Sequence, residues 1–163
     1  MLGYLTTPWS FEETLARIKT LWGSSFKTFE DGKSAFEVRG VFDDHVFTLY
    51  DYKHDQLIHL GGGAGINKRV LMNLLRLKLN ESPPTAFKIR HRHDGDEVEY
   101  VWTPPDSLHA RLDYITDRQL MQIAIHRQID TWRSLRDAVR DVLSLLETRH
   151  CLDDSDVADP DVV

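Results

Sequence analysis

The chain has 163 residues, 20 of them basic and 26 acidic, so its formal net charge is −6. That length suits about one domain with a single core, and an apolar share of 41% excludes wholesale disorder. The acidic balance argues against extended nucleic-acid binding, which needs a basic face. No apolar run approaches the ~20 residues of a membrane span. The single cysteine, Cys151, is typical of a reducing compartment, so we expect a cytoplasmic protein.

The negative charge is concentrated at the C-terminus. Residues 153–163 hold five acids and no base, which leaves 21 acids against 20 bases, a net charge of −1, in residues 1–152. A segment of that composition cannot bury enough apolar surface to order itself. The sequence therefore predicts one α+β domain over 1–152 and a disordered acidic tail over 153–163.

The first predicted elements are a helix and an antiparallel meander. Ser10 and Glu13 form a capping box, and apolar residues recur at helical spacing up to Gly23, which predicts a helix over 10–22. After a possible short strand at 26–29, apolar and β-branched runs predict strands over 35–42, 46–53 and 56–60. The turns between them are Asp43-Asp44 and His54-Asp55.

Two-residue turns fix the register of this meander and sort its side chains onto two faces. One face is predicted to hold Phe36, Val38, Leu49, Asp51, Ile58 and Leu60. The other is predicted to hold Tyr50, Tyr52, Leu57 and His59. A carboxylate on the apolar face is costly unless it is paired, so we expect Lys53 or a main-chain donor beside Asp51. Asp51 and His59 point apart, which argues against an acid–base pair.

A glycine-rich stretch, Gly61-Gly62-Gly63-Ala64-Gly65, is predicted to end the sheet and to lead into a helix over 66–79. Such a connection can present main-chain N–H groups to an anion. The spacing fits neither a Walker A motif nor a dinucleotide fingerprint, and a flexible connection is the alternative interpretation. The candidate anion-binding residues are His59, Gly61, Gly62, Gly63, Asn67, Lys68 and Arg69. No cofactor is expected.

Asp94-Gly95 is a standard signal for a two-residue turn and predicts a hairpin over 86–103. One face would pair Phe87 with Trp102, Ile89 with Tyr100, and His91 with Val98. The other face would pair Arg90 with Glu99 and Arg92 with Glu97, which places opposite charges across the strands. His91, His93 and Asp96 lack a convincing further ligand, so no metal site is predicted.

Residues 117–150 contain neither Gly nor Pro and predict one helix about 50 Å long, or two helices in line. Apolar residues alternate spacings of four and three along it, as in a coiled coil. This seam consists of Met121, Ile125, Gln128, Trp132, Leu135, Val139, Val142 and Leu146. The helix would exceed the ~40 Å width of a domain of this size. We therefore expect the seam to form a homo-oligomer interface, with a two-fold dimer as the simplest arrangement. Coverage by helices 10–22 and 66–79 is the alternative.

One segment resembles a known group of proteins. Val46-Phe-Thr-Leu-Tyr-Asp-Tyr-Lys53, followed by Ile58-His59-Leu60-Gly61-Gly62, is similar to a segment of small bacteriophage accessory proteins, although Ile58 stands where Trp is common. Proteins of that kind are often host-defence antagonists, which bind a host protein or sequester a nucleotide signal. The resemblance implies no catalytic residue.

These patterns favour a non-enzymatic, oligomeric binding protein whose partner is a host protein or a small nucleotide. Two alternatives remain open. One is a small enzyme acting on a nucleotide or phosphoester, with Asp51, His59 or His91 in its site. The other is a structural assembly protein that needs only the helical interface.

Overall fold

The computed structural model describes residues 2–81 and 84–105, together with the backbone of residues 147–149. Within these ranges the fold is mixed α+β, with two α-helices and two antiparallel sheets. The elements are β1 (Gly3–Tyr4), α1 (Phe11–Trp22), β2 (Lys27–Thr28), β3 (Phe36–Phe42), β4 (His45–Tyr50), β5 (His59–Gly62), α2 (Lys68–Asn80), β6 (Phe87–His93), β7 (Asp96–Trp102) and β8 (Glu147–Arg149).

The larger sheet has the strand order β1-β5-β4-β3-β2, and β8 also pairs with β3. Val38 lies opposite Leu49, and Leu49 lies opposite Leu60, as the turn lengths predict. The predicted meander is therefore confirmed at its centre. Its strands are shorter than expected, because β4 ends at Tyr50 and β5 begins at His59. Residues 51–58 between them form a loop instead of a tight turn.

The smaller sheet is the hairpin β6–β7. Its register matches the prediction at each of the five expected pairs, including Phe87 with Trp102 and Arg90 with Glu99. Lys88 forms an ion pair with Glu99 at 2.7 Å, and Arg90 forms one with Glu97 at 3.1 Å. One face is thus charged and paired across the strands, while Phe87 and Tyr100 on the other face join the core.

The helices and the inner face of the larger sheet enclose one hydrophobic core. Leu15 and Ile18 of α1, Phe36 and Leu49 of the sheet, and Leu74 of α2 are completely buried in it. Helix α1 begins as predicted, because the Ser10 Oγ accepts the Glu13 N–H at 3.1 Å. Burial of the apolar faces of α1 and α2 is what holds both helices against the sheet.

A buried arginine joins the two helices. Arg17 of α1 is only 2% exposed, and its Nη1 donates to the Leu79 carbonyl at 3.0 Å, at the C-terminal end of α2. Its Nη2 lies 3.4 Å from a Glu13 oxygen, and its guanidinium lies 4.1 Å from the Trp9 ring centre. Because carbonyls at a helix C-terminus carry partial negative charge, the positive charge of Arg17 is stabilised at this end of α2.

The C-terminal predictions have different outcomes. Residues 147–149 form β8, which pairs with Arg39, Gly40 and Val41 of β3, so the prediction that the helix 117–150 extends through them is wrong. Backbone pairing with an existing strand outweighs the helical pattern of the sequence there. The rest of that helix, its seam from Met121 to Leu146 and the acidic tail lie outside the described residues. The single domain over 1–152 stays a prediction.

The glycine stretch is also arranged differently from the prediction. Gly61 and Gly62 belong to β5 and pair with Thr48 and Phe47, so the sheet does not end before them. Helix α2 then begins at Lys68, with the Asn67 side chain accepting the Val70 N–H at 3.2 Å. Among the described helices, neither is long and apolar enough to span a membrane.

Candidate functional site

The loop of residues 51–58 holds three of the six non-glycine residues with positive φ angles in the described ranges. Lys53, His54 and Gln56 have positive φ angles of 50°, 58° and 58°. A non-glycine residue in this left-handed region costs on the order of 1 kcal/mol or more, so contacts elsewhere must hold the loop in place. Strained backbone of this kind concentrates at functional sites, which makes the loop a candidate site.

Asp51 anchors the loop to the core. Its side chain is completely buried, and its Oδ1 accepts the Ala35 N–H at 2.7 Å and the Phe36 N–H at 3.3 Å. Of the two partners expected for it, the main-chain donor is confirmed. The Lys53 ammonium instead lies 5.2 Å from the Tyr52 ring centre. Burial raises the pKa of the Asp51 carboxyl, and the two N–H donors partly oppose that rise.

On the core side, the loop contacts the hairpin through a pair of histidines. The His54 Nε2 and the His91 Nδ1 lie 2.6 Å apart, and the Tyr100 hydroxyl lies 3.5 Å from the Asp51 Oδ2. His91 is only 1% exposed, and its own Nε2 has no hydrogen-bond partner in the described part of the chain. Burial lowers the pKa of His91, although nearby Asp51 acts in the opposite direction.

On the outer side, the loop positions a histidine among tyrosines. The Asp55 Oδ2 lies 2.6 Å from the His59 Nε2, while the Asp55 Oδ1 accepts the Leu57 N–H at 3.1 Å. The His59 ring lies 5.0 Å from that of Tyr4, 5.2 Å from that of Tyr50 and 6.2 Å from that of Tyr52. We call Tyr4, Tyr50, Tyr52, Leu57 and His59 the aromatic patch.

The aromatic patch is open to solvent at its rim. Within the part of the chain that the structure describes, four large hydrophobic side chains are exposed: Tyr4 at 43%, Tyr52 at 37%, Leu57 at 43% and Val101 at 48%. The first three belong to the patch, and Val101 lies on the hairpin. Scattered exposed apolar residues are ordinary, but their concentration at one place marks an interaction surface.

The charges beside the aromatic patch are mixed. Burial raises the pKa of Tyr50, and the negative charges of Asp55 and Glu37 raise it further. Glu37 forms an ion pair with Arg39 at 2.8 Å, and the Lys53 ammonium lies 5.2 Å from the Tyr52 ring centre. These charges largely compensate one another, so the patch selects neither an anion nor a cation by charge.

A separate cleft lies where the two sheets meet. The Arg92 N–H donates to the Glu30 carbonyl at 2.8 Å, and the Gly32 N–H donates to the Arg92 carbonyl at 3.2 Å, which forms a parallel bridge between Asp31 and Arg92. Before this bridge the two segments diverge and enclose a cavity of about 440 Å³, whose walls include Thr28, Phe29 and His91. Its size is within the range of ligand-binding cavities.

The residues of the predicted anion site are distributed along the connection from β5 to α2. His59 opens β5 and belongs to the aromatic patch, whereas Lys68 and Arg69 are exposed at the start of α2. A Cβ at Gly62 would lie 2.7 Å from the Ile66 Cδ1 and 2.9 Å from the Leu2 Cδ1, so close packing already requires this glycine. His59 thus packs among tyrosines while the basic residues face solvent, and anion binding at this connection stays a prediction.

The two histidines considered for a metal both lie beside His54, whose ring centre is 4.7 Å from that of His91 and 6.3 Å from that of His93. His91 contacts His54, and the His93 Nε2 lies 3.0 Å from the Asp94 Oδ2. Over residues 2–81 and 84–105, no three His, Cys, Asp or Glu side chains are grouped as a metal site would require.

Sequence reasoning missed three parts of this region: strand β1 with Tyr4, the contact between His54 and His91, and the cleft. The sequence assigned His54 and Asp55 to a turn. In the structure their side chains instead contact His91 and His59, which lie 37 and 4 residues further along the chain. No protein-family model, curated protein or solved structure matches the chain. Its function must therefore be argued from the geometry.

Proposed function

We propose that this chain is a binding protein that docks on a partner protein through the aromatic patch. The observation that carries the proposal is that Tyr4 and Tyr52, two of the four exposed large hydrophobic side chains in the described ranges, both contact the His59 ring, while a third, Leu57, lies two residues before His59. Tyrosines supply much of the binding energy of protein interfaces, because they offer a large apolar area and few rotatable bonds.

The chemistry of the patch favours a protein partner over a nucleotide. Arg39 pairs with Glu37, and the Lys53 ammonium lies over the Tyr52 ring, so the described charges around the patch offer a phosphate no excess of positive charge. The Tyr52 ring already has a cation beside it, since the Lys53 ammonium lies 5.2 Å from the ring centre. The partner is therefore expected to present an apolar surface that packs on the exposed side chains of the patch.

The patch is also well ordered before binding. Asp55 is held at both oxygens, by His59 and by the Leu57 N–H. His59 is held in turn between Tyr4 and Tyr50. Groups that are already fixed lose less conformational entropy when they bind, so more of the contact energy contributes to affinity.

Two finer parts of the hypothesis rest on sequence patterns. The resemblance of residues 46–62 to small phage accessory proteins supports a host protein as the partner, with defence antagonism as the biological role. The heptad seam from Met121 to Leu146 supports a homo-oligomer, which native mass spectrometry of the full chain would test: a dimer is expected, and a monomer at micromolar concentration would exclude it.

Site-specific photo-crosslinking tests the docking surface. The full chain is produced in bacterial cells with p-benzoylphenylalanine in place of Tyr4, Tyr52 or Leu57, and with Val101→p-benzoylphenylalanine as the matched control. We expect one discrete heteromeric adduct at the three patch positions and none at position 101. The adduct at position 52 should weaken with Leu57→Ser and persist with Val101→Ser.

Three outcomes would contradict the proposal. The first is the absence of an adduct at every patch position. The second is an adduct at position 101 as strong as those at the patch. The third is an adduct of twice the chain's own mass, which would make the patch an interface between copies of this chain.

A further inference from the structure

In the cleft between residues 28–30 and β6, two neighbouring chain segments lie apart, although they are hydrogen-bonded to each other at one end. At its closed end, Arg92 directs both its N–H and its carbonyl away from β7, toward Glu30 and Gly32. Main-chain groups alternate in direction along a strand, so Arg90 and Lys88 also direct theirs away from β7. Both residues line the cavity of about 440 Å³.

The opposite wall of the cleft presents complementary groups. The Phe29 N–H donates to the Ala35 carbonyl at 2.9 Å, so Phe29 faces β3. By the same alternation, Thr28 and Glu30 face the cleft. A continued parallel ladder would join the Arg90 N–H to the Thr28 carbonyl and the Glu30 N–H to the Arg90 carbonyl. The two segments separate there, and these groups line the opening without main-chain partners in the described residues.

The side chains around the cleft indicate what charge a bound molecule would carry. Lys88, Arg90 and Arg92 each form an ion pair, with Glu99, Glu97 and Asp31 respectively. Because these charges are compensated, the cleft does not select an anion. His91 also lines the cleft, but it is only 1% exposed and its Nε2 is closed off from solvent, so the pairing groups that the cleft offers are those of the main chain.

We propose that this cleft binds an extended, uncharged peptide segment of another protein, which pairs with the outward main-chain groups of β6. Addition of a strand to an exposed sheet edge is a common mode of peptide recognition, in which main-chain hydrogen bonds supply affinity and side-chain pockets supply specificity. Here the N–H and carbonyl of Arg90 are the central pairing groups. The site is distinct from the aromatic patch and does not depend on it.

The hairpin offers a matched pair of variants for the test. Arg90 and Glu99 lie directly opposite each other, and the N–H groups of both point out of the hairpin, on opposite edges. Arg90→Pro removes the N–H that faces the cleft, whereas Glu99→Pro removes one that faces the other edge. Both N–H groups point out of the hairpin, so neither change removes a hydrogen bond between β6 and β7. Proline is tolerated at such positions.

The probe is an array of acetylated, amidated hexapeptides without charged residues, incubated with the full chain. Wild type and Glu99→Pro should bind a common subset of peptides, and Arg90→Pro should bind that subset at least about tenfold more weakly, as expected when a central contact is lost. N-methylation of those alternate peptide amides that face β6 should abolish binding. The absence of any bound peptide, or equal binding by Arg90→Pro, would overturn the proposal.

A second measurement on the wild-type chain does not depend on how the variants fold. Amide hydrogen exchange should be fast at Arg90 and Glu30 in the protein alone and slow at Ile89, whose N–H faces β7. A bound array peptide should slow exchange at Arg90 and Glu30 and leave Ile89 unchanged. Slow exchange at Arg90 and Glu30 without peptide, or no change when peptide is added, would overturn the proposal.

Discussion

Replacement of Asp51 should separate two roles of its carboxyl group, accepting hydrogen bonds and carrying charge. Asp51→Ala leaves the buried Ala35 and Phe36 N–H groups without their acceptor, which is 2.7 Å and 3.3 Å away in the wild type. An unsatisfied buried donor costs about 1–3 kcal/mol, so two of them should lower the free energy of unfolding by about 3 kcal/mol. Asp51→Asn keeps an acceptor oxygen and should cost less than about 1 kcal/mol at pH 7.

The sign of the pH dependence follows from the raised pKa of Asp51. A carboxyl whose pKa is higher in the folded state stabilises the fold below its unfolded pKa, and this stabilisation is lost as pH rises through the folded pKa. Asp51→Asn does not titrate, so its stability relative to wild type should improve between pH 4 and pH 7. Urea unfolding of wild type and both variants at several pH values measures this. A cost below about 1 kcal/mol for Asp51→Ala, or a falling relative stability of Asp51→Asn, would refute the reasoning.

Three further predictions concern the residues that hold the fold and the loop in place. His91 has a lowered pKa, so its contribution to stability is present above its unfolded pKa of about 6.5 and is lost as pH falls. The free energy of unfolding, measured from pH 7 to pH 5, should therefore decline less in His91→Phe than in wild type. Parallel curves for the two proteins would contradict this. Arg17→Ala should lower the free energy of unfolding by about 3 kcal/mol in urea, because the Leu79 carbonyl loses a buried charged donor; a loss under about 1 kcal/mol would show that the contact is unimportant. Gly62→Ala should lower the melting temperature measured by circular dichroism, since its Cβ would lie 2.7 Å from the Ile66 Cδ1, and an unchanged melting temperature would mean that Ile66 moves aside at no cost.

Those parts of the fold that depend on local chemistry could be predicted from the sequence. Asp94-Gly95 fixes the turn of the hairpin, and alternating side chains fix its register, so both were predicted correctly. Likewise, the side of the sheet on which Asp51 is buried follows from the period of two along β4.

The parts that could not be predicted depend on contacts between distant residues. His54 adopts a positive φ angle of 58°, which the sequence alone disfavours, and it is held in place by His91 on another sheet. Strand β1 has two residues, too few for any periodic pattern, yet it brings Tyr4 to His59. The cleft arises because the segment before the bridge between Asp31 and Arg92 diverges from β6, and no local pattern encodes that divergence.

The most direct test of the proposed function is the affinity of the crosslinked partner, once purified, for the unmodified chain and two of its variants. Tyr52→Ser removes an exposed ring of the aromatic patch, and Val101→Ser removes a similarly exposed apolar side chain on the hairpin. We predict that Tyr52→Ser weakens binding at least about tenfold, as the loss of an interface hot spot does, and that Val101→Ser changes it by less than about twofold. Equal effects of the two variants, or full affinity in Tyr52→Ser, would contradict docking through the aromatic patch.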